Sequence, residues 1–353
     1  MKTIYFTDSE ADLEKAAELI KKGKLVAFPT ETVYGLGADA LNEAAVKNVY
    51  KAKGRPCDNP MIVHISHFDD LKLLAEEIPE DASVLADRFW PGPLTMIMNK
   101  KPAVPKVTTG GLDTVAVRMP SDKVALKLIE KSGCAIAAPS ANLSGKPSPT
   151  KWEHASKDLD GRIEGIIRGG DCQVGIESTV LDLTDEIPTI LRPGIVTASE
   201  LSEVLGKPVE MDRSLFAKIE LKEPGYWEGS EAVDEDRDGG ETEKASGRGP
   251  KSPGMKYKHY APKGQMVIFQ GDRAKVDLAV KERRQKAEAE GLRVKVISFD
   301  DSREAARDFF KQLRDADDEG AELILAYALE ENEVGFSVMN RMLKSAGYNV
   351  VQL

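Results

Sequence analysis

The sequence predicts an α/β protein with two unequal sheets. In the N-terminal part, short apolar runs such as KLVAF, MIVHI and TVAVRM alternate with amphipathic stretches such as EAAVKNVYKAK. That alternation is typical of helices packed on a mixed, twisted open sheet. Towards the C-terminus, QMVIF, RVKVISF and AELILAY are separated by charged helical stretches over 274–290 and 302–316, and SVMNRMLKSAG follows as a final helix. This spacing predicts a smaller, doubly wound parallel sheet of Rossmann-like type, without a GxGxxG fingerprint.

A segment with the composition of a linker separates the two regions. Residues 223–254 contain seven glycines, three prolines and nine acidic residues, with few apolar side chains that could enter a core. Such a segment cannot bury enough apolar surface to fold by itself. The sequence therefore predicts an N-terminal domain over 1–211, a linker over 212–262 and a C-terminal domain over 263–353, and two domains suit a chain of 353 residues.

Bulk composition narrows the class of protein. With 41% apolar and 31% charged residues the chain is of ordinary globular composition. Its net charge of −10 argues against a general nucleic-acid coat protein but allows a local basic cleft. Cys57, Cys134 and Cys172 lack the CxxC spacing of a zinc site and are odd in number, so we expect reduced thiols and no protein-held metal. No signal-like or membrane-length apolar run occurs, so we expect a cytoplasmic protein without a membrane span.

Two helix starts are signalled by capping boxes. In each, a threonine precedes a glutamate by three residues, the arrangement in which each side chain accepts from the other residue's backbone N–H. The pairs are Thr150 with Glu153, and Thr197 with Glu200.

A polar segment follows the run KLVAF and raises the first question of function. AFPTETVYGLG, residues 27–37, stops on Pro29 and continues through Thr32 to Gly35 and Gly37. It could close a turn, with the glycines relaxing the backbone and the polar side chains satisfied locally. It could instead hold a small polar ligand, and the neighbouring motifs favour this second interpretation.

Positive charge recurs in those neighbouring motifs. KAKGRPCDNP places Lys51, Lys53 and Arg55 around a glycine, in a loop that two prolines keep from being helical. Three cations at this spacing suit either a solvated turn or a grip on phosphate. Arg118 in TVAVRMP and Arg192 in LRPG end apolar strands, where each needs a carboxylate partner or an anionic ligand.

Short polar side chains accompany other predicted strands. APSANLSGKPSPT contains Ser140, Asn142 and Ser148 after the run CAIAA, a position that suits ligand binding in an α/β sheet. GIESTVLD presents Ser178 at the start of a strand, and His64 lies within MIVHI, where a packed core histidine is the simpler interpretation. The sequence has no Walker, GxSxG or HExxH motif. Cations and hydroxyls without an obvious nucleophile favour a reaction run by positioning and charge stabilisation.

Seven motifs together resemble one known family. PTETVYGLG, KGRP..NP, WPGPLT, VAVRMP, PSANLSG, GIESTVLD and LRPG are ordered and spaced as in the YrdC-like threonylcarbamoyl-AMP synthases, and SPGMKYKHYAPK followed by a small α/β domain is similar to their longer, two-domain branch. The resemblance implies a YrdC-like sheet with a large concave cleft. It also implies synthesis of L-threonylcarbamoyl-AMP from L-threonine, bicarbonate or CO2, and ATP, with release of pyrophosphate. The product would pass to a tRNA threonylcarbamoyl-transferase complex that modifies tRNAs reading codons beginning with A, which leaves room for a contact with tRNA.

The resemblance also assigns roles to residues of this chain. Lys53 and Arg55 would stabilise the reacting phosphates, with Mg²⁺ bound through the substrate phosphates rather than by a cage of carboxylates. In the two-domain branch the linker folds back over the cleft, so Tyr257, in preference to Tyr260, is expected to meet the nucleotide. The residues expected at L-threonine are Thr32, His64, Arg118, the backbone of Ala138, and Ser178. The residues expected at ATP are Arg55, Asn59, Thr114, Ser140, Asn142, Ser148, Arg192 and Tyr257.

Two other functions stay open from the sequence. A module that binds double-stranded RNA or tRNA would use the same basic cleft, although the overall acidity and the lack of an aromatic stacking platform count against it. A carbamoyl-transfer role like that of the related domain in hydrogenase-maturation proteins would require the zinc-finger-like cysteines that this chain lacks.

Overall fold

The structure, a computed structural model, describes residues 1–216 and 260–353. The strands of the N-terminal part are β1 (Ile4–Phe6), β2 (Val26–Phe28), β3 (Gly35–Asp39), β4 (Ile62–His64), β5 (Leu94–Asn99), β6 (Thr114–Arg118), β7 (Ile136–Ala137), β8 (Gly165–Ile167), β9 (Thr179–Asp182), β10 (Thr189–Arg192) and β11 (Glu210–Met211). They form an eleven-stranded sheet in the order β1-β8-β2-β3-β7-β4-β6-β5-β9-β10-β11. Parallel and antiparallel pairs both occur in it, which confirms the predicted mixed sheet.

Helices cover both faces of this sheet. They are α1 (Glu10–Lys21), α2 (Glu43–Lys53), α3 (Leu71–Leu74), α4 (Glu80–Phe89), α5 (Lys123–Ser132), α6 (Trp152–Leu159) and α7 (Ala198–Leu205). On one face, α1 and α5 pack over Val26, Phe28 and Ile136. Ala27 and Val63 belong to a second apolar cluster on the other face. Burial on both faces explains why the strands read as continuous apolar runs. Each fully buried Leu, Ile or Phe stabilises the fold by about 1.5–3 kcal/mol.

The two predicted capping boxes have different outcomes. Thr197 caps α7 and exchanges hydrogen bonds with Glu200 in both directions, which confirms that prediction. The prediction at Thr150 is wrong, because α6 begins one residue later than expected, with Lys151 as its capping residue. The N–H of Thr150 donates instead to Nδ1 of the buried His154, at 3.4 Å.

The segment 27–37 does not remain an open turn. Gly35 begins β3, which pairs antiparallel with β2 from Phe28↔Gly35 to Val26↔Gly37. The interpretation that Gly35 and Gly37 relax the backbone is therefore wrong, since neither has a positive φ. A side-chain carbon at position 37 would lie 2.8 Å from atoms of both Phe28 and Ile136. Close packing therefore requires glycine at position 37. The strand could not be predicted from the sequence, because GLGAD lacks the alternation of apolar and polar residues that is typical of strands.

The C-terminal part forms the smaller parallel sheet that the sequence predicts. Its strands are β12 (Gln265–Gln270), β13 (Val294–Ile297), β14 (Leu323–Tyr327) and β15 (Val350–Gln352), and its helices are α8 (Arg273–Ala289), α9 (Ser302–Glu319) and α10 (Glu333–Ser345). Every strand pair is parallel, in the order β13-β14-β12-β15. Helix α8 covers one face, and α9 and α10 cover the other, so the sheet is doubly wound. The sequence does not predict β15, because three residues carry little periodic signal.

The longest described helix, α9, has 18 residues and interleaves charged residues with the buried Phe309, Phe310 and Leu313. Within 1–216 and 260–353, no helix combines the length and the apolar character that crossing a membrane requires.

The two sheets meet at a buried interface. Val33 and Ile176 of the N-terminal part belong to the same apolar cluster as Phe309 and Phe310 of α9. At Gly175 the backbones themselves touch. Gly175 has a φ of 79°, and a side-chain carbon there would lie 2.1 Å from the carbonyl oxygen of Arg307. The N-terminal and C-terminal parts therefore pack without a gap beside residue 176.

We predict that Gly37→Ala destabilises the protein by about 1–3 kcal/mol, because the added methyl overlaps Phe28 and Ile136 in a packed core. The measurement is the unfolding midpoint in urea. Gly170→Ala is the matched control, since a carbon added there meets nothing within 4 Å, and we expect a change within about 0.5 kcal/mol. Equal midpoints for the two variants would contradict the packing explanation.

Candidate active site

Side chains from distant parts of the chain, most of them polar, line a single cavity. We call it the polar cavity. Its wall is formed by the segment before β3, the end of α2, the strands β4 and β6, the loop after β7, the segment directly before β9, and the end of β10. The predicted site residues that line it are Thr32, Lys53, Arg55, His64, Arg118, Ala138, Ser140, Asn142, Ser148, Ser178 and Arg192. The other lining residues are Thr30, Val33, Gly35, Ile62, Pro139, Ser144, Gly145, Lys146, Glu177 and Tyr260.

Sheet topology explains part of this convergence. The strands β4 and β6 are parallel neighbours in the register His64↔Arg118, so both residues lie at the carboxyl ends of adjacent strands. The strands β9 and β10 are antiparallel, with Arg192 opposite Val180. Arg192 thereby returns to the start of β9, next to Ser178.

Two of the described predicted residues, Thr114 and Asn59, do not line the polar cavity. Thr114 begins β6, at the strand end opposite to Arg118. Asn59 is buried before β4, where its carbonyl oxygen accepts from the hydroxyl of Tyr50 at 3.0 Å, and its side-chain oxygen has no hydrogen-bond partner among the described residues. Tyr257 lies outside the described residues. The ATP-binding roles of these three residues stay predictions.

Arg118 is held by three contacts. Its Nη1 donates to Thr32 Oγ1 at 2.8 Å, and its Nε donates to the carbonyl oxygen of Gly92 at 3.1 Å. Its Nη2 lies 2.7 Å from Glu31 Oε1, and both side chains are buried. The sequence predicted that Arg118 needs either a carboxylate partner or an anionic ligand. In the structure, Glu31 is its carboxylate partner. A buried ion pair with these extra hydrogen bonds fixes the orientation of the guanidinium group.

Arg192 has a different environment. Its Nε donates to the carbonyl oxygen of Ser178 at 3.0 Å, and its Nη2 donates to Ser178 Oγ, also at 3.0 Å. The nearby carboxylate of Glu177 forms its ion pair with Arg341 instead. Burial lowers the pKa of Arg192 to about 10, and Glu177 opposes that shift. Arg192 remains charged at neutral pH, and within the described part of the chain neutral oxygens are its hydrogen-bond partners.

Lys53 lies inside the wall rather than in a loop. The last turn of α2 contains both Lys51 and Lys53, so the prediction that three cations crowd a loop is wrong. Lys51 is exposed, whereas Lys53 is 2% exposed and donates to the carbonyl oxygens of Ser140 and Asn142. Burial, with Arg55 adding to it, lowers the pKa of Lys53 well below its usual value. Lys53 therefore ties the end of α2 to the loop after β7.

His64 is a neutral member of the wall. Burial and the neighbouring Arg118 lower the pKa of His64 to about 3. Its Nδ1 is buried and has no hydrogen-bond partner within residues 1–216 and 260–353. Its ring packs edge-on against Phe28, with the centroids 6.2 Å apart. A neutral imidazole nitrogen of this kind can bind a polar group of a ligand.

Glu177 lines the polar cavity but was not predicted as a site residue. Its Oε1 accepts from Ser148 Oγ at 2.6 Å, and its Oε2 lies 3.1 Å from Nε of Arg341 in α10. The motif GIESTVLD contains this carboxylate directly before Ser178, which is the one local signal. Its partner Arg341 lies 164 positions further along the chain, where no spacing rule connects them.

Tyr260 lines the polar cavity, although Tyr257 was the linker tyrosine predicted to meet the nucleotide. Its ring packs on Phe310 with the centroids 5.0 Å apart. Burial raises the pKa of the Tyr260 phenol above its usual value, and the negative charge of Glu177 adds to that shift. The N–H of Ala261 donates to the carbonyl oxygen of Gly145 at 2.9 Å. The chain thus returns to the polar cavity immediately before the C-terminal sheet.

The donor set of the polar cavity is cationic and hydroxylic. In the described ranges, no group of three or more His, Cys, Asp and Glu side chains is placed to hold a metal ion. Cys57, Cys134 and Cys172 are all free, and Cys172 is buried. The cationic and hydroxylic lining of the polar cavity suits an anionic ligand.

Comparison with known proteins assigns this architecture. Residues 18–194 match the Sua5/YciO/YrdC family model, described as telomere recombination, and residues 196–347 match the model for the C-terminal domain of threonylcarbamoyl-AMP synthase. The chain belongs to the threonylcarbamoyl-AMP synthase family. The two matches confirm the resemblance and place this family member in its two-domain branch.

Individual relatives agree over nearly the whole chain. The threonylcarbamoyl-AMP synthase of Pyrococcus abyssi is 47% identical over 96% of this chain and 95% of its own length. That of Bacillus subtilis is 42% identical over 98% and 95%, respectively. A crystal structure of P. abyssi Sua5 complexed with L-threonine aligns with a TM-score of 0.87 and 46% identity, covering 99% of this chain and 100% of the other.

We predict that His64 makes the protein less stable in acid. The unfolded chain takes up a proton near pH 6.5, whereas His64 in the folded protein does so only near pH 3. The free energy of unfolding therefore falls as the pH decreases between these values, by up to about 1.4 kcal/mol per pH unit from this group. His64→Asn should show a smaller fall in urea midpoint between about pH 7 and pH 5 than the wild type.

The control for this measurement is His67→Asn, which replaces an exposed histidine three residues away. Its urea midpoint should follow the wild-type pH dependence. A His64→Asn protein with that same dependence would contradict a buried, neutral His64.

Proposed function

We propose that this family member joins L-threonine, bicarbonate or CO2, and ATP into L-threonylcarbamoyl-AMP, with release of pyrophosphate. The observation that carries the proposal is the polar cavity, where Lys53, Arg118 and Arg192 converge with hydroxyl groups from separate segments. The names of the P. abyssi and B. subtilis relatives and the L-threonine complex of P. abyssi Sua5 support it.

The amino-acid end of the reaction is assigned to the region around Arg118. An oriented guanidinium group suits the carboxylate of threonine, and Glu31 supplies that orientation. Thr32 and Ser178 offer hydroxyls, and His64 offers a neutral nitrogen. The apolar wall at Val33 and Ile62 can receive the threonine methyl group, which distinguishes threonine from serine by about 1–3 kcal/mol.

The nucleotide end is assigned to the region around Arg192 and Arg55. The described partners of Arg192 are the neutral oxygens of Ser178, so its charge is available to balance phosphate. Arg55 Nη2 donates to the carbonyl oxygen of Pro60 at 3.0 Å, and this contact holds the guanidinium group of Arg55 at the cavity wall. Ser140 and Asn142 lie in the loop that Lys53 fixes.

The proposed chemistry needs positioning and charge stabilisation. The neutral α-amine of threonine forms a C–N bond to CO2 and loses a proton, which gives a carbamate. A carbamate oxygen then attacks the α-phosphorus of ATP, and the bond to the pyrophosphate oxygen breaks. Negative charge builds on the phosphoryl oxygens, and Lys53 and Arg55 are the cations assigned to stabilise it. No enzyme nucleophile takes part in this scheme.

Mg²⁺ enters this scheme as part of the ATP substrate. The carboxylates nearest to the polar cavity, Glu31 and Glu177, are held by Arg118 and Arg341. The oxygen ligands of the ion would accordingly be phosphates and water, and the ion would offset phosphate charge. The product is a mixed anhydride that reacts with water and amines, so we assign its consumption to a tRNA threonylcarbamoyl-transferase.

The experiment that tests the function is mass spectrometry of the protein incubated with ATP, Mg²⁺, bicarbonate and L-threonine. We expect threonylcarbamoyl-AMP and pyrophosphate, with the isotope of ¹³C-bicarbonate in the carbamoyl group. Omission of threonine should abolish both products. Absence of the adduct in the complete mixture would refute the proposed function.

We predict that Lys53→Ala and Arg55→Ala each slow pyrophosphate release by about 100-fold or more, because each removes a cation assigned to the developing phosphoryl charge. The measurement is the rate of pyrophosphate release at saturating substrates. Lys51→Ala is the matched control, since Lys51 lies on the exposed side of the same helix turn. Its rate should equal that of the wild type, and near-normal turnover of either cavity variant would contradict the assigned role.

A further inference from the structure

Helix α10 of the C-terminal part places a buried arginine against Glu177, a residue that lines the polar cavity. Arg341 of α10 is 1% exposed, and its Nε lies 3.1 Å from Glu177 Oε2. Its Nη1 donates to the carbonyl oxygens of Pro193 and Ser337, the latter at 2.8 Å. These contacts leave the guanidinium group little freedom, and Glu177 is its carboxylate partner.

A second buried arginine supports the same wall from α9. Arg314 Nε donates to the carbonyl oxygen of Pro147 at 3.0 Å, and its Nη2 lies 2.9 Å from Asp158 Oδ2. Pro147 directly precedes Ser148, whose hydroxyl donates to Glu177 at 2.6 Å. Helix α9 therefore holds the backbone beside Ser148 through Arg314, and helix α10 holds the side chain of Ser148 through Arg341 and Glu177.

The charge of Glu177 sets the polarity of the Ser148 hydroxyl. Burial by itself would raise the pKa of Glu177, but Arg341, Arg192 and the hydrogen bond from Ser148 together hold it below its usual value. An ionised carboxylate can only accept hydrogen bonds. The proton of the Ser148 hydroxyl is thus directed to Glu177, and what Ser148 offers to a ligand is the lone pairs of its oxygen.

Only part of an ATP molecule can use such an acceptor. Ionised phosphate oxygens carry no hydrogen, so the triphosphate has nothing to donate to Ser148. The ribose hydroxyls and the amino group of adenine are donors. The polarity of Ser148 therefore fits the nucleoside part of the substrate, whereas the arginines of the polar cavity fit its phosphates.

We propose that Arg341 is a positioning residue, which acts through Glu177 to fix Ser148 as a hydrogen-bond acceptor for the nucleoside part of ATP. The inference rests on the proposed function for the identity of the nucleotide. It gives the C-terminal part an indirect role in substrate recognition, through contacts that the N-terminal part cannot supply alone.

The test is calorimetric titration of the full-length protein with three ligands, namely ATP, inorganic tripolyphosphate and L-threonine. Arg341→Met should weaken ATP binding about tenfold, as the loss of one oriented hydrogen bond predicts, and should change the affinities for tripolyphosphate and L-threonine by no more than about twofold. Ser148→Ala should show the same selective loss. The double variant should lose no more than either single variant, because both act on one interaction.

Glu333→Gln is the matched control. Glu333 lies on the same helix as Arg341 and also contacts the N-terminal part, through the N–H of Ser199 at 3.1 Å, but it does not line the polar cavity. All three affinities should stay at the wild-type values. A general loosening of the interface would instead weaken all three ligands in Arg341→Met.

Three results would overturn the inference: equal weakening of all ligands in Arg341→Met, unchanged ATP affinity, or additive losses in the double variant. If Arg341→Met does not fold, Arg341→Lys keeps the buried charge without the planar guanidinium group, and it must still show an ATP-selective loss.

Because binding is measured without turnover, the proposed function and the role of Arg341 can be refuted separately. A wild type that binds ATP but forms no threonylcarbamoyl-AMP refutes the proposed function, and product formation without the selective loss refutes the role of Arg341.

Discussion

Buried positive charge is the constraint on which the rest of this structure depends. Lys53, Arg118, Arg192, Arg314 and Arg341 are all buried. A cation taken out of water is costly unless protein atoms replace its hydration. Here backbone carbonyl oxygens and a few carboxylates do so, and they come from loops and strand ends that these contacts draw together. The shape of the polar cavity follows from the arrangement of those acceptors.

The general architecture could be predicted because its signals are local. Apolar runs, helical spacing and terminal residues such as Thr197 specify individual strands and helices within a few positions of the chain. The alternation of strands and helices then limits the topology, which is why the parallel C-terminal sheet was predictable. The motifs that carry the family resemblance likewise marked most of the residues that line the polar cavity.

What the sequence could not predict depends on contacts between distant segments. Gly37 is required by the ring of Phe28 and the side chain of Ile136, neither of which a local pattern connects to it. The capping partner expected for Thr150 is replaced by the ring of His154. Glu177 acquires its role from Arg341, on a helix of the other sheet. Propensity and spacing describe neighbours along the chain, and these three features arise from neighbours in space.

The contact at Gly175 limits how such proteins can be recombined. There the N-terminal part lies against the carbonyl oxygen of Arg307, and no side chain fits between them. Halves taken from two homologues would join correctly only if the donor of the first half keeps glycine at this seam. Any bulkier residue would push the two parts of the protein away from each other, two positions from Glu177. A chimera could therefore retain both folded halves and still lose the alignment of its substrate-binding groups.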